Sequence, residues 1–298
     1  MNGIIVLNKP KGMTSFDCVH HIKKHFHLKR VGHTGTLDPL ATGILVICLD
    51  EACKAIEYME NDTKTYDVVI RFGIKTDTFD IAGNVLEIKE GFLLSNDILD
   101  NALPRFRGAI KQTPPVFSAI KKDGKPLYYY ARKGIKVEIK ERDAFVYSFE
   151  RLSDVYQIDN IYYCNFRLKV SKGTYIRSIV NDLGEYLSFG ATMQELDRIQ
   201  CGMFKKEDCV ELDDIDNDNF HMYSIIDALN YPQIDITNDL DLQKRINNGM
   251  KVYDLELINN FNEKDRFLLV NNKKVNAVYE LRLIDDKKCL VPLKVWIR

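Results

Sequence analysis

Apolar positions along the chain predict short strands mixed with irregularly placed helices. The predicted strands are residues 4–7, 43–49, 65–71, 84–89, 136–139, 144–154 and 161–171, followed near the end by 267–270, 277–283 and 290–297. The predicted helices are residues 16–26, 51–59, 96–106 and 175–187. Thr14 or Ser15 can cap the first helix, with Asp17 completing a capping box with Thr14. This order favours an α+β fold over a doubly wound sheet.

Charge is balanced over the 298 residues but is unevenly distributed. Residues 102–142 carry eleven basic and three acidic side chains, whereas residues 207–242 carry eleven acidic side chains and no Lys or Arg. The final segment, 243–298, again has an excess of basic side chains, twelve against seven. Basic segments with Tyr and Phe are suited to phosphate backbones, although they are also found as ordinary solvated faces. The acidic stretch predicts a loop-rich connector, with a domain boundary near residues 230–232.

Composition narrows the class of protein. No apolar run approaches the roughly 18 residues that a membrane span needs, and the first residues lack the pattern of a signal peptide. The seven cysteines are scattered and include no Cys-x-x-Cys pair, so we expect reduced thiols rather than a disulfide framework. These features predict a cytoplasmic protein without a membrane segment.

Four histidines in the first predicted helix and just after it, His20, His21, His25 and His27, could suggest a metal site. His21 and His25 are four positions apart and can share a helix face. No Cys or acidic residue at metal-ligand spacing accompanies them, so we expect surface or packing histidines and no metal. A metal-dependent enzyme built on this cluster remains an alternative, which would lose activity on chelation.

Residues 32–43 form a loop rich in Gly, Thr and Pro, and this loop carries Asp38. It lacks the Gly-Lys-Ser/Thr of a phosphate-binding loop, and its glycine spacing does not fit a dinucleotide site. Pro39 favours extended backbone at Asp38. A carboxylate held this way can act as a nucleophile, a general base or a metal ligand, or can simply cap a turn.

Two further segments carry candidate chemistry. Residues 172–178 join a strand to a helix through Gly173, and Arg177 in that helix could pair with an active carboxylate or with a structural one. Tyr66 lies in a predicted strand, where an aromatic side chain either packs in a core or serves a site.

Taken in order, these segments resemble the TruB family of tRNA pseudouridine synthases. The similar segments are residues 8–15 (NKPKGMTS), 32–43 (GHTGTLDPLATG), 64–66 (KTY), 112–115 (QTPP) with 118–121 (SAIK) and Gly124, and 173–177 (GTYIR). Five matches in the family's order cover most of residues 3–204, and each alone is a weak signal.

The resemblance implies both a fold and an activity. We expect a catalytic domain at residues 1–230, with the mixed, largely antiparallel sheet of the pseudouridine synthase fold, flanking helices and a basic RNA-binding insertion at about 102–142. A small PUA-like β module is expected at residues 232–298, on a looser likeness. The implied reaction isomerises uridine 55 in the T-loop of tRNA without metal or cofactor. The implied partner is the T-arm of tRNA, with no obligatory protein partner and a monomeric chain.

The resemblance also assigns roles to residues. Asp38 matches the nucleophile, which in the favoured account takes part in breaking the glycosidic bond and in an older account adds to the pyrimidine ring. Arg177 matches the cation that keeps this carboxylate ionised, and Tyr66 matches the tyrosine that stacks on the target base. The remaining expected substrate-side positions are His33, which helps to hold the T-loop open, the pocket residues Tyr175 and Leu196, the supporting Lys9, and the acidic Asp80.

One departure and two alternatives accompany this interpretation. The family usually has two basic residues after Leu196, where this chain has Asp197-Arg198, so one phosphate-facing charge is expected to be missing. A relative that acts on ribosomal RNA with guide partners is one alternative. A tRNA-binding or tRNA-folding protein in which catalysis is secondary is the other, and the presence of Asp38, Tyr66 and Arg177 disfavours a dead site.

Overall fold

The computed structural model describes residues 1–59, 63–253, 258 and 260–296. The strands of these ranges are, in chain order, β1 Gly3–Lys9, β2 Val31–His33, β3 Thr42–Leu49, β4 Thr63–Phe72, β5 Ile74–Thr76, β6 Val85–Ile88, β7 Gly108–Gln112, β8 Lys121–Lys122, β9 Lys125–Pro126, β10 Arg142–Arg151, β11 Tyr156–Ile158, β12 Ile161–Ser171, β13 Ala191–Cys201, β14 Phe204–Lys205, β15 Gln233–Asp235, β16 Val252–Tyr253, β17 Arg266–Asn271, β18 Lys274–Ile284 and β19 Lys287–Val295.

The α-helices are short. They are α1 Ser15–His25, α2 Asn96–Ala102, α3 Leu127–Arg132, α4 Ile176–Tyr186, α5 Leu212–Asp216, α6 Ile225–Leu229 and α7 Leu240–Asn247. Three 3₁₀-helices lie wholly within the described ranges, namely Asp50–Tyr58, Leu103–Phe106 and Lys206–Asp208. No helix within the described ranges is long and apolar enough to span a bilayer.

A large mixed sheet forms the centre of the molecule. Its main path runs β1-β3-β13-β4-β12-β10-β7, with β2, β11 and β14 added to β3, β12 and β13. Only the short β3–β13 contact is parallel, and every other pairing in this sheet is antiparallel in the described residues. The expected α+β class with a mixed, largely antiparallel sheet and flanking helices is confirmed.

The main core lies between this sheet and α4. Alternate residues of β4, at positions 66, 68, 70 and 72, point to one face and are buried there, as the period of a half-buried strand requires. Phe166 and Leu168 of β12 continue this face, and Ile179 and Leu183 of α4 cover it. Burial of this apolar surface is the main force that holds α4 against the central strands, chiefly against β13.

A second, five-stranded sheet follows in the order β15-β17-β18-β19-β16 and is PUA-like. The three short strands expected near the chain end are confirmed as β17, β18 and β19, each longer than predicted, while residue 297 of the last prediction lies outside the described residues. Its residues Leu268, Val278 and Trp296 pack in one cluster with Val6 and Val46 of the large sheet. The two sheets therefore share a hydrophobic core.

The acidic stretch is more ordered than the loop-rich connector that the sequence predicts. It contains α5, α6 and the short β15, and its backbone pairs with β1. The amide of Asn8 donates to the carbonyl of Val210 at 2.8 Å, and the amide of Val210 donates to the carbonyl of Val6 at 2.9 Å. Ile215 of α5 is fully buried against Cys18 of α1, because apolar residues hidden among the acidic ones still supply a packing face.

Several element predictions need correction. Residues 136–139 alternate in polarity but form no strand, because no neighbouring strand is available to pair with them among the described residues. The predicted helix at 51–59 is a 3₁₀-helix, and the predicted helix at 96–106 ends at Ala102, because Pro104 lacks the N–H that continuation would use. The capping box of Thr14 and Asp17 is confirmed.

Strands β7 and β13 were not among the predicted strands. The omission of β13 matters most, because it lies at the centre of the sheet between β3 and β4. Two register shifts, between Met193 and Glu195 and between Arg198 and Gln200, break its alternation of polar and apolar residues. A bulge adds one residue to a strand and so hides the period of two from a reading of the sequence.

Candidate active site

The loop between β2 and β3 holds Asp38 in place through contacts to the residues on either side of it. The amide of Leu37 donates to Ser15 Oγ at 2.8 Å, and that hydroxyl is 3.2 Å from the carbonyl of Leu37. On the other side, the carbonyl of Pro39 accepts from the amide of Gly12 at 2.8 Å and from Lys9 Nζ at 3.3 Å. The loop is therefore tied to the first strand and to the start of α1.

Arg177 in the first turn of α4 lies against Asp38. Its Nη2 donates to Asp38 Oδ1 at 3.0 Å, and its Nε lies 2.8 Å from Oδ2. The guanidinium also donates to the carbonyl oxygens of Thr78, at 3.0 Å, and Phe117, at 2.9 Å. The side chain of Arg177 is only 4% exposed, whereas that of Asp38 is 33% exposed. The cation is thus fixed by the fold, and the carboxylate keeps one open side.

Asp80 is a second carboxylate beside the same cation. Its Oδ2 is 3.6 Å from Arg177 Nη1, while its Oδ1 accepts from Thr78 Oγ1 at 2.7 Å and from the amide of Ala82 at 3.0 Å. Asp80 is almost fully buried. It therefore completes the charge around Arg177 from the side away from Asp38.

The electrostatic balance at Asp38 follows from these contacts. Burial raises the pKa of the Asp38 carboxyl above its usual value, and the charge of Asp80 raises it further. The charge and hydrogen bond of Arg177 lower that pKa, as does the more distant Lys9. Arg177 is therefore the main group that opposes protonation of Asp38 in this environment.

A cleft of about 290 Å³ opens beside Asp38. Five of the eight expected site residues line it, namely Asp38, Tyr66, Tyr175, Arg177 and Leu196. The rest of its lining includes the loop at 34–37, Lys64, the turn at 172–174 and Arg198. Pockets of roughly 300–1,000 Å³ hold drug-sized molecules, so this space is sufficient for a single pyrimidine nucleoside.

Tyr66 and Tyr175 present the aromatic surface of this cleft. Tyr66, in the middle of β4, is 6% exposed, and burial raises the pKa of its phenol while the charge of Arg198 lowers it. Tyr175 is the N-cap residue of α4. Its amide donates to Gln112 Oε1 at 2.7 Å and its carbonyl accepts from Gln112 Nε2 at 2.9 Å, which fixes the turn that carries it.

Lys9 and His33 lie outside the lining of the cleft. Lys9 has no solvent exposure, and besides its contact to Pro39 its Nζ donates to the carbonyls of Pro10 at 2.9 Å and Met13 at 2.6 Å. Burial lowers the pKa of Lys9. Burial and the nearby Arg198 lower the pKa of His33, which favours the neutral imidazole. Lys9 is thus buried beneath the loop, whereas His33 is partly exposed at the end of β2, directly before the loop.

Arg198 was expected, with position 197, to belong to a phosphate-facing edge, and this expectation needs correction. Arg198 has no solvent exposure and lines the inner end of the cleft. Asp197 faces away, accepting from Thr42 Oγ1 at 2.8 Å and pairing with Lys206 Nζ at 2.8 Å. The alternation of β13 would have separated the two side chains, had that strand been predicted.

Two histidines of α1 contact an acidic side chain that is distant in sequence, and the sequence did not predict these contacts. His21 Nε2 is 2.7 Å from Asp216 Oδ1, and His25 Nδ1 is 3.5 Å from the same oxygen. Among the residues that the structure describes, no group of three or more His, Cys, Asp or Glu side chains is arranged to hold a metal ion. The contacts join α1 to the acidic stretch.

Comparison with known families and structures supports one identification. Residues 23–176 match the TruB family pseudouridylate synthase N-terminal domain, and residues 177–227 match the tRNA pseudouridylate synthase B C-terminal domain. The second match begins inside the expected catalytic domain and ends before the second sheet.

Curated relatives align over nearly the whole chain. The chain is 41% identical over 268 residues to tRNA pseudouridine synthase B of Clostridium tetani (strain Massachusetts / E88), covering 89% of this chain and 90% of that protein. It is 39% identical over 288 residues to tRNA pseudouridine synthase B of Listeria innocua serovar 6a, covering 94% and 93%.

Solved structures share the fold. A chain from the crystal structure of a Cbf5-Nop10-Gar1 complex superposes with a TM-score of 0.69 at 24% identity, covering 99% of this chain and 84% of that chain. A chain from the archaeal box H/ACA sRNP Nop10-Cbf5 complex gives 0.68 at 23% identity, covering 99% and 85%. The family matches, the identity to the bacterial relatives and this common fold together establish that the chain belongs to the TruB family of pseudouridylate synthases.

Proposed function

We propose that this chain converts uridine 55 in the T-loop of tRNA to pseudouridine, with Asp38 as the nucleophile. The observation that carries the proposal is the ion pair of Asp38 with the buried Arg177, set at the wall of a nucleoside-sized cleft. The names of the curated relatives support tRNA as the substrate class.

The reaction is an isomerisation and consumes no co-reactant. The bond from ribose C1′ to N1 of uracil breaks, the base turns, and C1′ bonds to C5. The proton on C5 leaves and N1 gains a proton, so the atoms of uridine and pseudouridine balance. This step sequence requires an ionised carboxylate, which Arg177 favours, and no metal or cofactor enters it.

The other residues around the cleft have supporting roles in this proposal. Tyr66 stacks on the everted base, an interaction worth roughly 1–3 kcal/mol per base, and its hydroxyl serves the proton movement at C5. Tyr175 and Leu196 complete the pocket around the base. Base extrusion costs a few kcal/mol, which the binding of the displaced T-loop by the His33 segment offsets.

Lys9 and Asp80 act on the substrate indirectly in this proposal. Lys9 fixes the backbone of the Asp38 loop through the carbonyl of Pro39, 3.3 Å from its Nζ. Asp80 balances the charge of Arg177 from the far side, at 3.6 Å. Each therefore sets the geometry of the ion pair on which the chemistry depends.

The basic insertion at about 102–142 is proposed to bind the RNA backbone. Its helix α3 carries cation–aromatic pairs at the surface, with Arg132 5.6 Å from the ring centre of Tyr128. Lys125 and Lys133 lie 4.7 and 4.8 Å from the ring centre of Tyr129. Exposed cations beside aromatic rings are suited to phosphates and to unstacked bases.

Domain organisation and partners form part of the same proposal. Residues 1–230 supply catalysis, and the module at 232–298 adds RNA contacts through its excess of basic side chains. The chain acts in the cytoplasm as a monomer, without an obligatory protein partner. Size-exclusion chromatography with light scattering, and turnover by the purified chain alone, test the last two statements.

The test is incubation of the purified chain with an unmodified tRNA transcript, followed by mapping of pseudouridine at single-nucleotide resolution. We expect modification at position 55 alone, and loss of modification when that uridine is replaced. Asp38→Asn keeps the side-chain shape but removes the charge, so we expect normal folding and RNA binding with no detectable turnover. Asp67→Asn, on β4 outside the cleft lining, is the matched control. Turnover of Asp38→Asn near that of the unaltered chain would exclude Asp38 as the nucleophile.

A further inference from the structure

Arg198 is the largest fully buried side chain among the described residues. It lies in β13 directly opposite Tyr66 of β4. Its Nε donates to the carbonyl of Ile44 at 2.7 Å, and its Nη2 donates to the carbonyl of Gly35 at 3.0 Å. From its position opposite Tyr66, this guanidinium thus joins β3 to the loop that carries Asp38.

The surroundings of Arg198 are incomplete for a purely structural residue. Within the described residues, no carboxylate lies within ion-pair distance of its guanidinium, although a buried charge normally requires a partner. Its Nη1 is withdrawn from solvent and makes no hydrogen bond of normal geometry, although the guanidinium lies close enough to the Tyr66 phenol for a hydrogen bond between the two to lower the pKa of that phenol. A buried N–H without an acceptor lowers stability, and such departures are concentrated at functional sites.

The loop lies directly on this cation at Gly35, whose carbonyl accepts from Arg198 Nη2. A Cβ atom at position 35 would stand 3.6 Å from Arg198 Nη1 and 3.3 Å from Lys64 Cε. Both Gly35 and Arg198 line the cleft. Arg198 Nη1 therefore lies between the start of the Asp38 loop and the strand of Tyr66.

The charge of Arg198 also acts on its neighbours. It lowers the pKa of the Tyr66 phenol against the effect of burial, and it lowers the pKa of His33. A guanidinium has only N–H donors, so in a hydrogen bond between it and a phenol the phenol oxygen is the acceptor. A phenol held in this way directs its own hydrogen elsewhere, and the cleft lies on its open side.

We propose that Arg198 is a positioning residue for this reaction, acting through Tyr66. The carbonyls of Ile44 and Gly35 hold the guanidinium through Nε and Nη2, and in the RNA complex its Nη1 donates to Tyr66 Oη, so that the Tyr66 hydroxyl hydrogen faces the base. This inference rests on the proposed function. The activity of the unaltered chain tests that function separately. If the unaltered chain were inactive, the proposed function would be wrong, and not only the role of Arg198.

The experiment is a double-mutant cycle on single-turnover rates with unmodified tRNA transcript. Arg198→Lys retains the charge but loses the planar fork, and it is made both in the unaltered chain and in Tyr66→Phe. The matched control is Arg167→Lys, which alters an arginine of β12 paired with Asp67 outside the cleft lining. RNA affinity and the melting temperature are measured for each variant.

A positioning role predicts a rate about 100-fold lower in Arg198→Lys, with RNA affinity within about threefold of the unaltered chain. In the Tyr66→Phe background the same substitution should lower the rate by less than about threefold, because the group it acts through is gone. Arg167→Lys should leave the rate unchanged. Equal loss in both backgrounds, or a loss of affinity that matches the loss of rate, would overturn the proposal in favour of a structural or RNA-binding role.

A second measurement applies even where Arg198→Lys fails to fold or Tyr66→Phe is too slow to assay. A crystal structure of the full-length Asp38→Asn chain with an unmodified T-arm stem–loop places the two groups directly. We expect Arg198 Nη1 within 3.2 Å of Tyr66 Oη, in the range of a hydrogen bond. A separation above about 4 Å, with the base seated in the cleft, would contradict the inference.

Discussion

Lys9 reaches from the end of β1 to the carbonyl of Pro39, the residue that follows Asp38, and its ammonium has no contact with solvent. The same Nζ donates to the carbonyls of Pro10 and Met13. One buried cation thus closes the turn after β1 and holds the loop with the reactive carboxylate. The position of Asp38 depends on this lysine as well as on Arg177.

Replacement of Lys9 by Met tests this dependence. Methionine fills a similar volume but removes the lysine donor from the carbonyls of Pro10 and Met13, and leaves Pro39 with the amide of Gly12 alone, so we expect a loss of about 2–4 kcal/mol in the free energy of unfolding. The reaction rate should fall by at least tenfold, because a small misplacement of a reacting group is costly. Urea unfolding and single-turnover rates measure the two effects, with Lys11→Met, at an exposed lysine nearby, as control. A Lys9→Met chain with unchanged rate and stability would show that the loop is held without this contact.

Removal of one oxygen from Tyr66 separates its two proposed roles. Tyr66→Phe retains the ring that stacks on the base but lacks the hydroxyl, so RNA affinity should stay within about threefold while the rate falls by 100-fold or more. Tyr163→Phe, on the adjacent β12 and outside the cleft lining, should change neither quantity. Equal losses of affinity and rate in Tyr66→Phe would instead mark the residue as a binding platform only.

The sequence predicted the elements with a regular period and the residues with a local signal. Strands β1, β3, β4 and β12 alternate or run apolar without interruption, and their positions follow directly from that pattern. Strand β13 does not, because its two bulges hide the alternation. Because β13 was not predicted, Arg198 was expected at an RNA-facing edge and not in the interior, where the structure has it.

Contacts between residues far apart in the sequence were the second feature that the sequence could not predict. Asp38 and Arg177 are separated by 139 positions, and no local rule brings them together. They meet because α4 packs its apolar face on the large sheet, chiefly at β13, in the cluster that also holds residues of β4 and β12. The pairing of Asp38 with Arg177 was predicted only from the resemblance to a family. The contacts through which Lys9 and Gly35 support the loop are visible only in the structure.

The pH dependence of the rate should follow the ionisation of Asp38. A carboxyl with a raised pKa is protonated at a higher pH than an exposed aspartate, which titrates near 3.9. As the pH is lowered, the rate should therefore fall with the uptake of a single proton, at a pH above that value. Arg177→Gln removes the group that opposes protonation and should move this fall in rate to higher pH. Rates measured from pH 4.5 to 8 check both statements.

The raised pKa of Asp38 also predicts how the stability of the folded chain depends on pH. Because the folded chain raises the pKa of Asp38 above its value in the unfolded chain, the folded state binds this proton more tightly, and acid does not unfold the protein through this group. Melting temperatures of the unaltered chain and of Asp38→Asn should therefore converge on acidification. If the fall in rate at low pH coincides with loss of folded protein, the fall is due to unfolding and not to protonation of Asp38.

RNA binding by the second sheet calls for a test other than deletion. Leu268, Val278 and Trp296 pack in one core with strands of the large sheet, so removal of residues 232–298 would expose that core and confuse folding with binding. Substitution at the surface avoids this difficulty. Lys273 and Lys274 lie at the exposed turn between β17 and β18 and are replaced together by Glu.

If these lysines contact phosphates, the double substitution should weaken tRNA binding and lower the salt dependence of affinity by about one unit of slope per lost contact. The rate at saturating RNA should stay unchanged, because neither side chain is near Asp38 or the cleft lining. The control places the same charge change at Lys23 and Lys24, on the exposed side of α1. Affinity and salt slope that match the control would remove the RNA contact from this turn. A fall in the saturated rate would instead show that the turn acts on the catalytic sheet through the core that the two sheets share.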